Sequence, residues 1–499
     1  MSPTFRSSLL TICAALLAGC TSVPAAPEGA ARGGPSEIEG FSEDLTQRTF
    51  RYFWETTDTE RCLTPDRWPT RTFSSIAATG FALTAYGIGA ERGYVDREQA
   101  ARRTRDCLAF YWNAPQGPAR EGVTGHKGFF YHFLNYGDGT RYKSVELSTV
   151  DTTLFLGGAL FAQSYFDRDT PVERDIRDLA EKIYRRVDWT FVQRNRTGTQ
   201  ARNLANSHGI TMGWYPEGGF ETHDWVGYNE GMLVYILALG SPTHAVGKDA
   251  WDQGWAAELE KHWGSYYGQE HLQFEPLFGH QFSHVWVDFR GIRDDFMAKK
   301  GIDYFENTRR ATLSQRAYGI DNPNRWTGYS GDFWGWTASD GPGEVHGQSV
   351  NGIERHFMAY SARGVSGYRV VDDGTIVPSA VGGSIPFAPK VTIAALMNMK
   401  AKYGERVYTR YGFKDAFNPS FTFVAIGSRS GSVDPDLGWF ATDHIGIDQG
   451  PILAMMENHR SELVWRVMRK NPHIVRGLKR IGFGGGWLDT ADASPAVEQ

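Results

Sequence analysis

Several stretches of the chain are apolar almost without interruption: residues 75–89, 150–166, 229–239, 389–402 and 451–468. Helices that are apolar nearly all round must be buried on both sides. Between them lie amphipathic segments. Residues 96–112 carry Ala100, Thr104, Cys107, Leu108 and Tyr111 at helical spacing behind Asp96 and Gln99, a variant of the capping box. Thr170-Pro171-Val172-Glu173 is a stronger helix start, with a capping hydroxyl, Pro at the first helical position and Glu at the third. Ile176, Leu179, Ile183 and Val187 then mark the buried face. Strand-like alternation is scarce, and residues 372–386 are the clearest exception, read as a small hairpin or an ordered loop. Alternating amphipathic and buried helices predict an all-α fold, an (α/α)6 barrel with long aromatic loops over one end.

The N-terminus adds an address. Arg6, an apolar run over 9–17 and Leu17-Ala18-Gly19-Cys20 match a lipoprotein signal with its lipobox, too short for a permanent membrane helix. The expected organisation is a signal peptide over 1–20, a flexible tether over 21–40, a single catalytic domain over 41–489 and a disordered tail over 490–499. Cys20 is the expected lipidation site. Without an Asp sorting signal at Thr21 or Ser22, the periplasmic face of the outer membrane is the expected location, and the lipid is the expected membrane contact. Once Cys13 leaves with the signal and Cys20 is lipidated, only Cys62 and Cys107 remain. That permits one bridge and excludes a disulfide scaffold. A net charge of -5 with interspersed signs gives no basic stripe for nucleic acid, and a monomer is expected.

With 16 Trp, 22 Tyr and 30 Phe, the chain is rich in rings that stack on sugar faces. Carboxylates stand beside aromatic, amide or histidine side chains near helix starts in residues 146–152 (ELSTVDT), 223–232 (HDWVGYNEGM) and 444–451 (HIGIDQGP). Converging carboxylates supply the acid and base of glycosidic cleavage. No GxSxG elbow or dinucleotide fingerprint competes with this reading, and no cofactor is expected. His280, His284 and Asp288 recur every four residues, but this is not the HExxH pattern, and hydrogen bonding or packing is the ordinary role. No metal is expected.

The segments RYFWETTD (51–58), SSIAATGFALTAYGIG (74–89), GFFYHFL (128–134), ELSTVDT, GYNEGM, FGHQFSHVWVDFRGI (278–292), GGSIPFAP (382–389) and IDQGP resemble the bacterial "glucoamylase-like" family over about residues 41–489. That family is similar to glycoside hydrolase family 144 and to the glucan-processing domain of cyclic β-1,2-glucan synthases. The resemblance implies an (α/α)6 fold and action on β-1,2-glucan, mainly as an endo-β-1,2-glucanase with an inverting acid/base mechanism. Transglycosylation and glucan binding without turnover are the alternatives.

By the same resemblance, Glu230 is the general acid and Asp448 the general base, with Asp443 a competitor. Capping alone would account for Asp151, which is nonetheless placed among the catalytic residues, with Glu146 as its companion in sugar binding. Tyr228, Asn229, Trp225, His284, Trp286, Arg290 and Gln449 complete the expected binding set. Sugar platforms are to be drawn from tryptophans 54, 68, 214, 225, 286, 334 and 336, fewer than half of them facing a cleft.

Overall fold

A computed structural model describes residues 34–193, 208–425, 427–428 and 430–491. The signal segment with Cys20, tether residues 21–33 and tail residues 492–499 lie outside the described residues. In chain order, the helices that frame the site are α1 (Pro35–Thr56), α2 (Ile76–Glu91), α3 (Arg97–Asn113), α4 (Thr149–Tyr165), α5 (Pro171–Arg186), α6 (Met232–Gly240), α7 (Phe278–Trp286), α8 (Tyr304–Asp321), α9 (Pro378–Gly382), α10 (Pro389–Tyr403), α11 (Gly446–Ser461) and α12 (Pro472–Ile481). The apolar runs become inner helices. α2 packs on α4, α4 on α6, α6 on α7, α7 on α11, and α11 back on α2. The amphipathic helices lie against them: α1 on α2 and α11, α3 on α2, α5 on α4, α8 on α7 and α12 on α6.

The α2–α4 contact is close enough to require glycine. A Cβ on Gly158 would stand 1.9 Å from the Gly80 carbonyl oxygen, and one on Gly80 would stand 2.2 Å from the Leu154 oxygen. Backbone thus packs on backbone, which fixes the two helix starts side by side. Ser148 accepts from the Asp151 amide and Thr170 from Glu173, caps the sequence suggests, and Ser75 caps α2 by accepting from Ala78.

Short antiparallel strands lead into several of these helices. Ser74–Ser75 pairs with Phe133–Leu134, and His444–Ile445 pairs with Arg67–Trp68. Leu147–Ser148 is the middle strand of a five-stranded sheet with Gly125–His126, Phe129–Tyr131, Gly213–Tyr215 and Gly219–Phe220. The fold is mainly helical, with several small sheets at helix N-termini and further short hairpins in the loops.

Several expectations need correction. α1 begins at Pro35, inside the stretch expected as tether, because Pro suits a first helical turn. Of the two forms expected for residues 372–386, a hairpin or an ordered loop, the loop is the one observed. These residues run into α9, and an isolated bridge joins Ile376 to Phe417. Among the described residues the longest hairpin is Val345–Val350 with Ile353–Phe357. The apolar run over 451–468 is broken at Glu462, whose left-handed backbone (φ 57°) ends α11. α11 itself starts at Gly446, so Pro451 sits inside it rather than at its first position. α10 is buried all round only over residues 391–396, and Lys390, Ala401 and Lys402 near its two ends are exposed.

Cys62 and Cys107 are joined by a disulfide that ties the loop after α1 to α3. The bridge closes a loop of 45 residues, worth about 4 kcal/mol in a chain-entropy estimate and commonly 2–4 kcal/mol in practice. Cys62→Ser is therefore expected to lower the denaturant midpoint, and adding reductant to the variant should lower it no further.

Candidate active site

Glu230 lies in the turn just before α6, and that turn is built by its neighbours. The Asn229 side chain accepts from the Gly231 amide at 2.8 Å and donates to the Val226 carbonyl at 3.2 Å. The Trp225 indole donates to Thr149 Oγ1 at 2.9 Å, fastening the turn to the first residue of α4. Glu230 is thereby held near Asp151, in the first turn of α4. Among the described residues, Glu230 Oε2 is buried with no hydrogen-bond partner. Burial lifts the Glu230 pKa to about 7 against a hydrogen bond from its own amide, and the Asp151 charge adds to the rise. The helix dipole, which would favour the ionised form, is outweighed by desolvation.

Asp151 accepts from Ser148 Oγ at 2.5 Å and faces His132 Nε2 at 3.6 Å. The other nitrogen of His132 donates to Glu146 Oε1 at 2.7 Å. Burial would lower the His132 pKa, but Asp151, Glu146 and Asp66 outweigh it and raise it to about 9, so an imidazolium bridges the two carboxylates. Glu146 is pushed up by burial and pulled down further by His132, so it stays ionised. Asp151 moves upward because burial exceeds the pull of His132 and Ser148.

A second group of carboxyls gathers around Asp448, in the first turn of α11. Ser379 Oγ donates to Asp448 Oδ1 at 3.1 Å, and the Asp415 carboxyl hydrogen-bonds to Asp448. Asp415 accepts from the Asp340 amide at 2.7 Å through Oδ2. Burial, then the charges of Asp448 and Asp340, drive Asp415 far up, so Asp415 holds the proton of the pair. Asp448 is also raised by burial, with the bonds from Asp415 and Ser379 opposing. Arg67 sits among Asp340 (2.9 Å), Asp66 (3.4 Å) and Asp443 (3.9 Å). Asp66 also feels His132, which links the two groups into one acidic floor. Tyr360 adjoins the Ser339–Ser361 strand pair next to Asp340; the residue is 55% exposed as a whole, but desolvation at its hydroxyl end, then the charges of Asp448, Asp66, Asp415 and Asp340, keep the hydroxyl protonated.

The structure thus brings Glu230, Asp151 and Glu146 together, and Asp448 with Asp443. Asp443 is tied down, accepting from the Thr70 amide at 2.8 Å beside Arg67. Other expected binding residues belong to the framework. Trp225 and Asn229 shape the Glu230 turn. The Tyr228 hydroxyl bonds His280 Nδ1 at 3.1 Å, and its ring lies parallel to Tyr304 in the core. The His284 ring is buried, with Nε2 3.1 Å from Thr308 Oγ1. Trp286 is fully buried, donating to Thr84 and stacked on Phe81. Gln449 donates to the Phe413 carbonyl at 2.8 Å.

Arg290 pairs with Asp288 and with Glu462. Glu462 ends the helix that Asp448 begins, so Arg290 lies roughly 20 Å along the axis from the acidic floor. Trp334 and Trp336 are fully buried as well, whereas Trp54, Trp68 and Trp214 are partly buried.

The sequence reading missed Asp66, Arg67, His132, Asp340, Ser379, Asp415 and Tyr360 as site residues. His132 stood within a quoted segment, GFFYHFL, without a role. The donor atoms of His132, Glu146 and Asp151 lie within 4.8 Å of one another, a spacing that would suit an ion. A protonated His132 donating through Nδ1 has no lone pair to offer one, so the trio reads as an ion-paired unit. His280, His284 and Asp288 each have separate partners and do not converge.

Asp151→Asn removes a charge that raises the Glu230 pKa. The alkaline limb of the pH–rate profile is expected to move to lower pH in this variant, as measured by kcat/KM across the pH range.

Residues 222–472 match the family model described as "Glycoamylase: Putative glucoamylase". A "putative glucoamylase" crystal structure from Bacteroides uniformis ATCC 8492 is 30% identical with a TM-score of 0.73, covering 91% of this chain and 99% of that one. An endo-β-1,2-glucanase from Chitinophaga pinensis, solved with sophorotriose and glucose, is 25% identical with a TM-score of 0.71, covering 90% of this chain and 99% of that one. The exo β-1,2-glucooligosaccharide sophorohydrolase (non-reducing end) of Parabacteroides distasonis is 25% identical over 475 residues, which is 90% of this chain and 58% of that protein. This chain belongs to the Glycoamylase family.

Proposed function

We propose that the chain is a glycoside hydrolase that cleaves β-1,2-linked glucan, acting within the chain and with inversion at the anomeric carbon. The observation that carries this reading is Glu230, a carboxyl raised to about 7 with one oxygen buried and unpaired beside the charge of Asp151. Near neutral pH such a Glu keeps a proton to give. Glu230 protonates the departing glycosidic oxygen as the C1–O bond breaks. Asp448 takes a proton from a water that bonds C1 from the opposite face, directly or through a substrate hydroxyl. Asp415 and Ser379 donate to Asp448 and hold its carboxylate in place, while Arg67 offsets part of the surrounding negative charge. Trp68 and Tyr360 are the accessible rings beside these acids that suit sugar stacking.

Endo action is favoured by the near full-length match to the Chitinophaga endo-β-1,2-glucanase. The inner and outer helices are read as an (α/α)6 toroid with the acids at the N-terminal ends of its inner helices. The lipobox at Cys20 and the Cys62–Cys107 disulfide support a lipid-anchored protein in an oxidising periplasm.

The test is reducing-end release from linear β-1,2-glucan, with β-1,3-glucan and α-1,4-glucan in parallel. Release from the β-1,2 polymer with a ladder of intermediate oligosaccharides is expected. Cleavage of α-1,4-glucan alone would overturn the substrate, and disaccharide as the sole early product would overturn endo action.

A further inference from the structure

The hairpin formed by Val345–Val350 and Ile353–Phe357 has no part in the acid floor, yet it is inserted between two residues that do. It leaves from Asp340 and returns at Tyr360, above the short pair Ala338–Ser339 with Ser361–Ala362. Along a strand, alternate residues share a face, and cross-strand partners share it too. Val345 pairs with Phe357, which places His346 opposite His356, with Glu344 two residues before His346 on the same face. The ladder shifts register between Val345 and Gln348, and Gly347 supplies the left-handed backbone (φ 68°) that this irregularity uses.

The result is a compact donor set at the surface. The two imidazole rings stack at 3.9 Å between centroids and 26° between planes. Glu344 Oε2 is 3.4 Å from His356 Nε2, and one ligand atom from each of the three residues lies within 4.8 Å of the others. Glu344 is itself oriented, because its Oε1 accepts from the Ala359 amide at 2.9 Å while Oε2 turns to the histidines. A backbone bond that fixes a carboxylate in this way is the kind of outer support metal ligands use.

The geometry points to a divalent transition-metal site, of the Zn2+ class, formed by Glu344, His346 and His356 on this hairpin. Two imidazoles and one carboxylate suit Zn2+ and its neighbours rather than Ca2+ or Mg2+, which favour all-oxygen shells. Bound to zinc, such donors stand about 3.3 Å apart, a contraction that rotation of the exposed side chains provides. Water fills the remaining position. The ion joins both strands of the arm whose two ends carry Asp340 and Tyr360, so it stiffens the rim of the acidic floor without entering it. This inference does not depend on which glucan is cleaved.

The experiment is calorimetric titration of ZnCl2 into untagged, chelator-stripped protein, paired with hydrogen exchange over residues 344–359. One Zn2+ is expected to bind per chain at this site, with slower exchange in the hairpin. His346→Ala and His356→Ala should each weaken binding by at least about tenfold and abolish the protection. Glu344→Gln, which keeps an acceptor for the Ala359 amide, should weaken binding without loosening the ion-free hairpin. His132→Gln should leave binding unchanged. Absence of Zn2+ binding, or binding that the hairpin variants do not alter, would overturn the site. Loss of binding only in His132→Gln would overturn it equally, by moving the ion to the acid floor.

Discussion

Glu230→Gln is expected to slow cleavage of linear β-1,2-glucan by roughly 10²–10⁴-fold in kcat, the usual contribution of a positioned general acid. The substitution keeps the size and shape of the side chain but leaves nothing to protonate the departing oxygen. Because Glu230 Oε2 has no partner among the described residues, the amide breaks no existing bond there, and folding should be preserved. KM should change little, since the lost interaction belongs to the transition state. The wild-type profile should show an alkaline limb near the Glu230 pKa of about 7, because the acid is lost as pH rises through that value. The limb should vanish in the variant. A variant that kept wild-type kcat would remove Glu230 from the chemistry.

Asp448→Asn should cost a comparable two to four orders of magnitude, about 10²–10⁴-fold, through the opposite limb. Asp448 must be ionised to accept a proton, and burial raises its pKa, so activity falls as pH drops. Asparagine can still accept from Ser379 Oγ, so the local packing is retained while the base is lost. Asp415 does not substitute for it, because Asp415 holds its proton most firmly of the pair. Loss of the acid limb together with the fall in kcat would separate the removal of a base from general damage. Unchanged kcat would pass the role to Asp443 or Asp151.

The arrangement of the helices was legible in the sequence where hydrophobic pattern and capping agreed. Residues 75–89 and 150–166 are apolar all round, and they form the α2–α4 pair that touches through Gly80 and Gly158. Ser148 and Asp151 were readable as a cap, and the cap bond exists, yet the same Asp also faces His132. The cap and the ion pair with His132 thus coexist in one residue. The partners of Asp448 were not legible, since Asp415 and Asp340 come from loops and Ser379 from the short helix α9, and their convergence depends on tertiary pairing. Arg67 reaches Asp443 because its strand pairs with His444–Ile445, a contact between residues far apart in sequence.

Family-like segments also mislead in a physical way. The stretch holding His284, Trp286 and Arg290 is distinctive because it packs α7 into the core and anchors the far end of α11. It does not line the acid floor. Helical periodicity tells which face is buried but not which end of the helix holds the chemistry, which is why Arg290 was misplaced.

The most direct test of the account is proton NMR of the first products released from linear β-1,2-glucan by the purified protein, before mutarotation equilibrates the anomers. The account predicts shortened β-1,2-linked oligosaccharides whose new reducing ends appear first as the α-anomer. New reducing ends appearing first as the β-anomer, or a polymer left intact, would contradict it.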